Sequence, residues 1–424
     1  MRRAVAFLLV VLASSSTQCT RGSGRPDTLD PNDQAGDAGP VAGTGGSGTG
    51  ADGGTDSSCA DLSFALPESL AMQTPFSRLG AANGSGILPV GSLDVPPGKY
   101  TPQLVDWETD FFVHRWTLFD VATGVAVSTV EEQGLRLFAQ PSGFIGDFVI
   151  RPSLGSFVGG RYELIAIDAA GAKQNAVETS SDNGYPVYAQ DRRGGVVVIR
   201  STSDSPGRWR VSFQRYDEHG DAATAQVALL SGPTDRLPNE FGFPVLPSVQ
   251  AAVNLRGQTL VMVNGSNLGP GWVLPACSLF WVDPTGTVST AIGDGSIDET
   301  CFWRAADPLI DGSIALQREI GPGYAAIVRD GDTKLEPVPP WLTARSYVVR
   351  DGRGYARPSP TTTPGSIQVD VLTAHGRVCE TLSFAAPGLD LLYGTTIGLD
   401  GTLASAYSAG FGATTIRWWP QLFR

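Results

Sequence analysis

The chain has 424 residues, a formal net charge of −12 at pH 7, 52 glycines, 30 prolines and five cysteines. This negative charge disfavours nucleic acid as a partner, because a phosphate backbone is bound by basic surfaces. The many glycines and prolines leave little room for long helices and favour short strands joined by tight turns.

The first residues have the pattern of an export signal. The chain begins Met-Arg-Arg and continues with ten apolar residues, which are too few to span a bilayer comfortably. We therefore predict a signal peptide over residues 1–18 and a lipid-modified cysteine at Cys19. Gln18 departs from the small residue that usually precedes such a cysteine. Cleavage after Ser15 or Ser16, with Cys19 left as a free thiol, is the alternative.

The segment after Cys19, residues 20–58, is rich in glycine, serine and aspartate and has no apolar period. It cannot bury enough apolar surface to offset the entropy lost on ordering, so residues 19–58 are predicted to be a disordered linker. Roughly 40 residues of this kind reach about 35 Å. A glycine-rich spacer after a lipid cysteine resembles the surface lipoproteins of myxobacteria and related bacteria. That resemblance implies an outer-membrane anchor, on the periplasmic face or at the cell surface, or otherwise a secreted protein.

From residue 59 onward one unit recurs, an apolar strand that runs into a turn of the type Asp-x-x-Gly. The turns start 43 to 49 residues apart, with one interval of 66, close to the spacing of about 40 to 50 residues in propeller blades. A seventh strand, Ile416–Gln421, lacks such a turn. The turns start at Asp120, Asp168, Asp217, Asp283, Asp330 and Thr373.

Seven such strands predict seven blades of four strands each, in which the Asp turn joins the third strand to the fourth. Blade three shows the parts: Tyr185–Gln190, a turn over Asp191–Gly195, then Val196–Ser201 and Arg208–Tyr216. Residues 59–424 thus resemble a seven-bladed β-propeller, an all-β fold. The alternative is two consecutive β-sandwich domains.

A repeated segment predicts how the ring closes. Cys59–Pro67 (CADLSFALP) matches Cys379–Pro387 (CETLSFAAP) at six of nine positions. Since Cys379–Pro387 follows the sixth turn, we expect Cys59–Pro67 to form the equivalent fourth strand of blade seven. A ring closed by its N-terminal strand leaves no exposed sheet edge. The linker would then leave from the face that carries the Asp turns.

Four cysteines remain besides the proposed anchor, and they allow three pairings. Cys277 is predicted to begin the third strand of blade four and Cys301 the first strand of blade five, at the same face. We therefore predict a Cys277–Cys301 disulfide, which would stabilise the fold by roughly 3 kcal/mol. A Cys59–Cys379 disulfide follows by elimination, although equivalent positions in adjacent blades are expected to lie too far apart for a bridge.

No catalytic or metal-binding motif is evident in the sequence. Two of the three histidines fall in predicted turns and the third in a predicted strand, so they form no Ser-His-Asp arrangement or metal cluster. No cofactor is therefore expected. The alternative is Ca²⁺ bound by the acidic loop with Asp294, Asp298 and Glu299, although its spacing does not match an EF-hand.

The longest loops cluster around blade four, on the face opposite the Asp turns. Long loops on a rigid scaffold are where binding sites concentrate, and these loops combine aromatic with polar side chains, which suits a glycan or a peptide. The alternative is that the aromatic side chains only cover the blade. The predicted ligand-binding residues are Trp272, Phe241, Phe243, Trp303, Asp235, Asn239, Glu240 and Asn267.

These patterns together predict a binding or scaffold protein, at the cell surface or in the periplasm, that recognises a glycan or a protein of the cell envelope. The membrane is expected to be contacted only through the lipid anchor, nucleic acid is not an expected partner, and the protein is expected to be a monomer. The competing class is an enzyme, a lyase or hydrolase with its active site in the central channel, because propellers carry both kinds of function.

Overall fold

The strands of the chain form seven separate four-stranded antiparallel sheets in a computed structural model. Among the described residues no helix is long and apolar enough to cross a membrane. The described residues are 59, 62, 68–74, 77–93, 113–133, 135–150, 161–180, 184–205, 208–233, 246–264, 277–292, 303–318, 324–332, 335–342, 347–349, 352–359, 366–385, 391–408 and 414–423.

Each sheet is one blade, and the blades are numbered in chain order. Blades one to four consist of β2 (Ser77–Leu79), β3 (Ile87–Leu93), β4 (Val113–Asp120), β5 (Ala126–Gln133); β6 (Arg136–Ala139), β7 (Gly143–Ile150), β8 (Arg161–Asp168), β9 (Lys173–Ser180); β10 (Gly184–Gln190), β11 (Val196–Ser205), β12 (Arg208–Tyr216), β13 (Val227–Pro233); and β14 (Ser248–Val253), β15 (Thr259–Asn264), β16 (Cys277–Val282), β17 (Val288–Ile292).

Blades five to seven consist of β18 (Trp303–Pro308), β19 (Ile314–Arg318), β20 (Tyr324–Val328), β21 (Leu335–Glu336); β22 (Tyr347–Val348), β23 (Gly354–Ser359), β24 (Ser366–Thr373), β25 (Val378–Ala385); and β26 (Leu391–Ile397), β27 (Leu403–Ser408), β28 (Thr414–Trp419) with β1 (Leu70–Thr74). The predicted seven-bladed propeller is therefore confirmed, and the two-sandwich alternative is wrong.

The recurrent strand of the sequence is the third strand of every blade, and the predicted turns follow it. At Asp168 the carboxylate accepts hydrogen bonds from the backbone N–H groups of Ala170 (2.9 Å) and Ala172 (2.8 Å). Gly171 in this turn has a φ of 82°. The pattern arises because a side-chain oxygen satisfies the amides of the turn and glycine tolerates positive φ.

Apolar clusters between neighbouring blades form the core of the ring. The first strands of adjacent blades contact each other, as β10 does with β14 and β14 with β18, so they surround the centre. Side chains alternate between the two faces of a blade. In β11, Val197 and Ile199 pack towards blade four, whereas Val196 and Val198 pack towards blade two. The described residues form seven such clusters, one for each interface between blades.

Blade seven is completed by the N-terminal side of the chain, as predicted, but by a different strand. β1 pairs antiparallel with β28, and Leu70 lies opposite Trp418. The prediction that Cys59–Pro67 forms this strand is therefore wrong. A Cβ placed on Gly124 in the Asp turn of blade one would lie 3.6 Å from the Leu70 side chain, so β1 starts at the face that carries the Asp turns.

The disulfide Cys59–Cys379 shows where the N-terminal segment lies instead. Cys379 belongs to β25, the outer strand of blade six, and the two Cα atoms are 5.4 Å apart. The Cys59–Cys379 pairing expected by elimination is thus confirmed. The distance expected between the two cysteines was too long because Cys59 was assigned to the outer strand of blade seven, which β1 forms instead. Cys277 begins β16, as predicted. Cys301 lies outside the described residues, so the Cys277–Cys301 disulfide stays a prediction.

Removal of β1 should cost far more stability than the trimming of a disordered terminus. Two truncated proteins test this, one that begins at Glu68 and one that begins at Pro75. Without β1 the edge of β28 and the apolar cluster that Leu70 and Met72 cover become exposed, so we expect the free energy of unfolding to fall by roughly 3 kcal/mol or more.

Chemical denaturation of the two truncated proteins measures this difference. Both lack Cys59, so the disulfide is absent from both and cannot account for a difference. Equal midpoints would contradict closure of the ring by β1.

Candidate functional site

The predicted blade-four site falls almost entirely outside the described residues. Trp303 is the first residue of β18. His219 and His375 lie in turns and His114 lies in a strand, as predicted. The predicted residues outside the described part are Trp272, Phe241, Phe243, Asp235, Asn239, Glu240 and Asn267, together with Cys19 and the acidic loop of Asp294, Asp298 and Glu299. Among the described residues no group of three or more His, Cys, Asp or Glu side chains is placed to bind a metal ion.

The interface between blades two and three combines the smallest apolar cluster of the described residues with a chain of polar side chains. Its cluster has five buried residues, among them Ile145 and Val198. Alternation along β7 places Asp147 on the same face as Ile145, and alternation along β11 places Arg200 on the same face as Val198. Two buried charged groups, Asp147 and Arg200, therefore face this interface.

The first half of this polar chain is an ion pair stacked on a tyrosine. Asp147 is 4% exposed and pairs with the Arg136 guanidinium, which lies 5.7 Å from the ring centre of Tyr188. The Thr179 hydroxyl donates to the Tyr162 carbonyl oxygen (3.1 Å), so the Tyr188 hydroxyl donates to Thr179 Oγ1 (2.8 Å). Burial raises the pKa of Tyr188 well above its usual value, so this hydroxyl stays neutral and keeps its proton.

The second half of the chain surrounds Arg200. Its Nε donates to the Thr179 carbonyl oxygen, and its Nη2 donates to the Tyr216 hydroxyl (2.7 Å). Tyr216 in turn donates to Oε1 of Gln214 (2.9 Å). The guanidinium is thus held in one position by neutral groups on β9 and β12.

Arg200 has no carboxylate partner among the described residues. It is only 5% exposed, and its Nη1 is buried without a hydrogen-bond partner. Arg215, by contrast, is 7% exposed and pairs with the Asp191 carboxylate. Burial alone would raise the pKa of Asp191, but hydrogen bonds from Arg193 and the charges of Arg215 and Arg193 outweigh it and lower the pKa. The Arg215 charge is therefore neutralised, whereas that of Arg200 is not.

Arg200 lines an open cleft between blades two and three, which we call the blade 2–3 cleft. Its volume is about 660 Å³, within the range of small-molecule sites. The lining is mostly neutral and polar apart from Arg200 and Glu178. The lining residues are Val177, Glu178, Thr179, Arg200, Thr202, Ser203, Gln214, Tyr216, Ala222 and Gln226.

One sequence signal pointed to this site. Arg200 ends the run Val-Val-Val-Ile-Arg in the second strand of blade three, and a second strand is covered on both faces by neighbouring blades. An arginine is almost never fully buried without a partner. No recognised motif contains a single arginine in an apolar strand, so motifs alone do not identify Arg200.

A second perturbed group lies at the interface between blades five and six. Burial raises the pKa of the Asp307 carboxyl, although the Tyr324 hydroxyl donates a hydrogen bond to it (2.6 Å). Tyr324 also packs against the apolar cluster of that interface. A carboxyl group with a raised pKa is a candidate proton donor.

Comparisons with known proteins find similarities among solved structures only. No family model and no curated protein matches the chain. It is similar to an oligogalacturonate lyase in complex with manganese, at 12% identity over 84% of this chain and 98% of that chain (TM-score 0.42). It is also similar to the β-propeller domain of the trilobed protease from Pyrococcus furiosus, at 9% identity over 81% and 93% (TM-score 0.42). A prolyl endopeptidase matches at 11% identity over 82% of this chain and 46% of that chain (TM-score 0.44). Similarities this low carry no argument about function.

Replacement of Asp307 by asparagine should stabilise the protein at neutral pH. The neutral form of a carboxyl whose folded pKa is raised is favoured in the folded state. Its contribution is fully present below the ordinary pKa of 3.8 and is lost as the pH rises through the folded pKa. Asparagine keeps an acceptor for Tyr324 and never ionises.

We therefore expect Asp307→Asn to unfold at a higher denaturant concentration than the parent at pH 7, and the difference to disappear near pH 4. Denaturation at a series of pH values measures this. A variant less stable than the parent at pH 7 would contradict the raised pKa.

Proposed function

We propose that this protein is a binding lipoprotein of the cell envelope, which displays a propeller on a lipid-anchored linker and recognises a glycan or a protein. The observation that carries this proposal is the blade 2–3 cleft. It is a preformed opening whose walls are strands of a rigid ring, and it places hydroxyl, amide and guanidinium groups around one space. A few polar groups held in fixed positions are what a specific binding site needs.

Two surfaces of the propeller are candidates for recognition. The first is the blade 2–3 cleft. The second is the set of blade-four loops with Trp272 and Phe241, which stays a proposal from the sequence. Among the two ligand classes, the hydroxyl and amide groups of the cleft favour a glycan, because sugar hydroxyls both donate and accept hydrogen bonds.

One substitution at each surface tests the proposal. Ala222 lines the cleft and is exposed, so Ala222→Trp should fill the opening without disturbing the core. Trp272→Ala removes the main aromatic side chain of the blade-four loops. We expect the parent protein to be retained by polysaccharide purified from bacterial cell envelopes, and Ala222→Trp to reduce its retention by about tenfold or more.

The pair of variants separates the two surfaces. If only Trp272→Ala loses binding, the binding site lies in the blade-four loops and not in the blade 2–3 cleft. Unchanged binding in both variants, or no retention of the parent protein on the polysaccharide, would refute the proposed glycan-binding function. Melting temperatures within a few degrees of the parent show that each variant is folded.

Replacement of the proposed lipid-bearing cysteine tests the anchor separately. A lipidated cysteine carries more than one acyl chain, which holds a protein stably on a membrane. We therefore expect Cys19→Ser to move the protein expressed in a Gram-negative host from the membrane fraction to the soluble fraction. Thr20→Ser, a matched change at the next position, should leave fractionation unchanged. Equal fractionation of Cys19→Ser and the parent would show that Cys19 is not the anchor.

A lyase or hydrolase is the second candidate, and the raised pKa of Asp307 is the observation that favours it. A buried carboxyl whose pKa is raised is a candidate general acid. If it acts so, Asp307→Asn loses activity on an envelope polysaccharide while it gains stability. Binding without bond cleavage in the parent protein supports the binding role instead.

A further inference from the structure

We propose that the blade 2–3 cleft binds an acidic sugar, whose carboxylate pairs with the guanidinium of Arg200. This inference rests on the proposed binding function and specifies its ligand. It depends on the cleft and on a buried cation that has no counter-charge among the described residues.

The need for an anion follows from the surroundings of Arg200. A guanidinium taken out of water is costly unless a charge or hydrogen bonds replace its hydration. Thr179 and Tyr216 each accept a hydrogen bond from the guanidinium, but both acceptors are neutral, and no described residue accepts from Nη1. An anionic group in the cleft would supply both the missing acceptor and the missing charge.

The same contacts favour a carboxylate over a phosphate. Among the described residues Nη1 is the only nitrogen of Arg200 that makes no hydrogen bond, which suits a monoanion that accepts a charge-assisted hydrogen bond. Glu178 lines the same cleft, and the chain as a whole carries a formal charge of −12. Both disfavour a dianion, which would need several cationic partners.

The rest of the lining favours a sugar as the carrier of that carboxylate. The amide nitrogen of Gln226 donates to the Ser212 hydroxyl (2.8 Å), so its amide oxygen is left to accept a hydrogen bond. Thr202 adds a hydroxyl that both donates and accepts. These neutral groups around a single cation match a ring that carries several hydroxyls and one carboxylate.

The decisive experiment compares two forms of one ligand. A glucuronate-containing oligosaccharide and its carboxyl-reduced form differ only in the charged group, and calorimetry measures their binding to the full chain. We expect the reduced form to bind about 10- to 100-fold more weakly, the loss for one hydrogen bond to a charged group. Because this arm uses the unaltered protein, it does not depend on the folding of a variant.

Variants assign that loss to a residue. Arg200→Met should weaken binding of the acidic oligosaccharide by a similar factor and leave binding of the reduced form unchanged. Arg200→Lys, which keeps the charge, should recover part of the affinity. Arg256→Met is the matched control, because it removes an exposed arginine that pairs with Asp330 away from the cleft and should change neither affinity.

The outcomes separate this inference from the proposed function. If both oligosaccharides bind equally well and Ala222→Trp abolishes both, the cleft binds glycans and the carboxylate inference is overturned. If Arg200→Met folds and binds the acidic form as tightly as the parent, the inference is likewise overturned. If neither oligosaccharide binds but a tripeptide with a free terminal carboxylate binds through Arg200, the ligand class is wrong. If no probe binds, the inference is wrong, and retention on envelope polysaccharide then decides the proposed function.

Discussion

The pairing of β1 with β28 is the interaction on which the rest of the structure depends. Each blade has two apolar faces, and each face is covered only by a neighbouring blade. Blades one and seven therefore cover each other only when the ring is closed. The indole N–H of Trp418 on β28 donates to the carbonyl oxygen of Val121 in blade one (2.9 Å), and Leu70 and Met72 of β1 pack against the same cluster. The closing contact spans almost the whole propeller, yet its entropic cost grows only with the logarithm of the chain length.

The packing of apolar faces that closes the ring does not account for Arg200, whose buried guanidinium has no carboxylate partner among the described residues. An apolar side chain in place of Arg200 would avoid the cost of a buried charge, and such replacements are often stabilising. Arg215 shows how this protein neutralises a buried arginine when the role is structural, with the Asp191 carboxylate beside it. The absence of such a carboxylate beside Arg200, among the described residues, is the physical basis for assigning it to a ligand.

Much of the fold was predictable, because the signals are local. A third strand followed by Asp-x-x-Gly can be recognised within about ten residues. The Asp168 carboxylate finds its hydrogen-bond donors inside the turn, and the residue with positive φ there is a glycine, Gly171. The closing strand was predicted wrongly because strand pairing across the ring is not local. Cys59–Pro67 resembles Cys379–Pro387 in sequence, but the two cysteines bond to each other instead of occupying equivalent places.

The cleft was harder to predict than the blades for a related reason. The residue type and the strand position of Arg200 are visible in the sequence. The sequence does not show whether Arg200 has a carboxylate partner, because this depends on which side chains of blade two lie across the interface. Tyr188 and Thr179 come from different blades, and only the packed ring brings them to Arg200. The loops around blade four stay a prediction from composition and length.

The position of the disulfide also determines where a pull on the N-terminal side of the chain would act. A pull applied to the chain before Cys59 would reach this residue first, because Cys59 is covalently joined to β25 in blade six. The load then passes into a sheet whose four strands are paired, before it reaches β1. Without the disulfide the same pull would peel β1 from β28 one residue pair at a time, since it would act at one end of that short strand. The covalent bond would thus shield the pairing of β1 with β28 from such a pull.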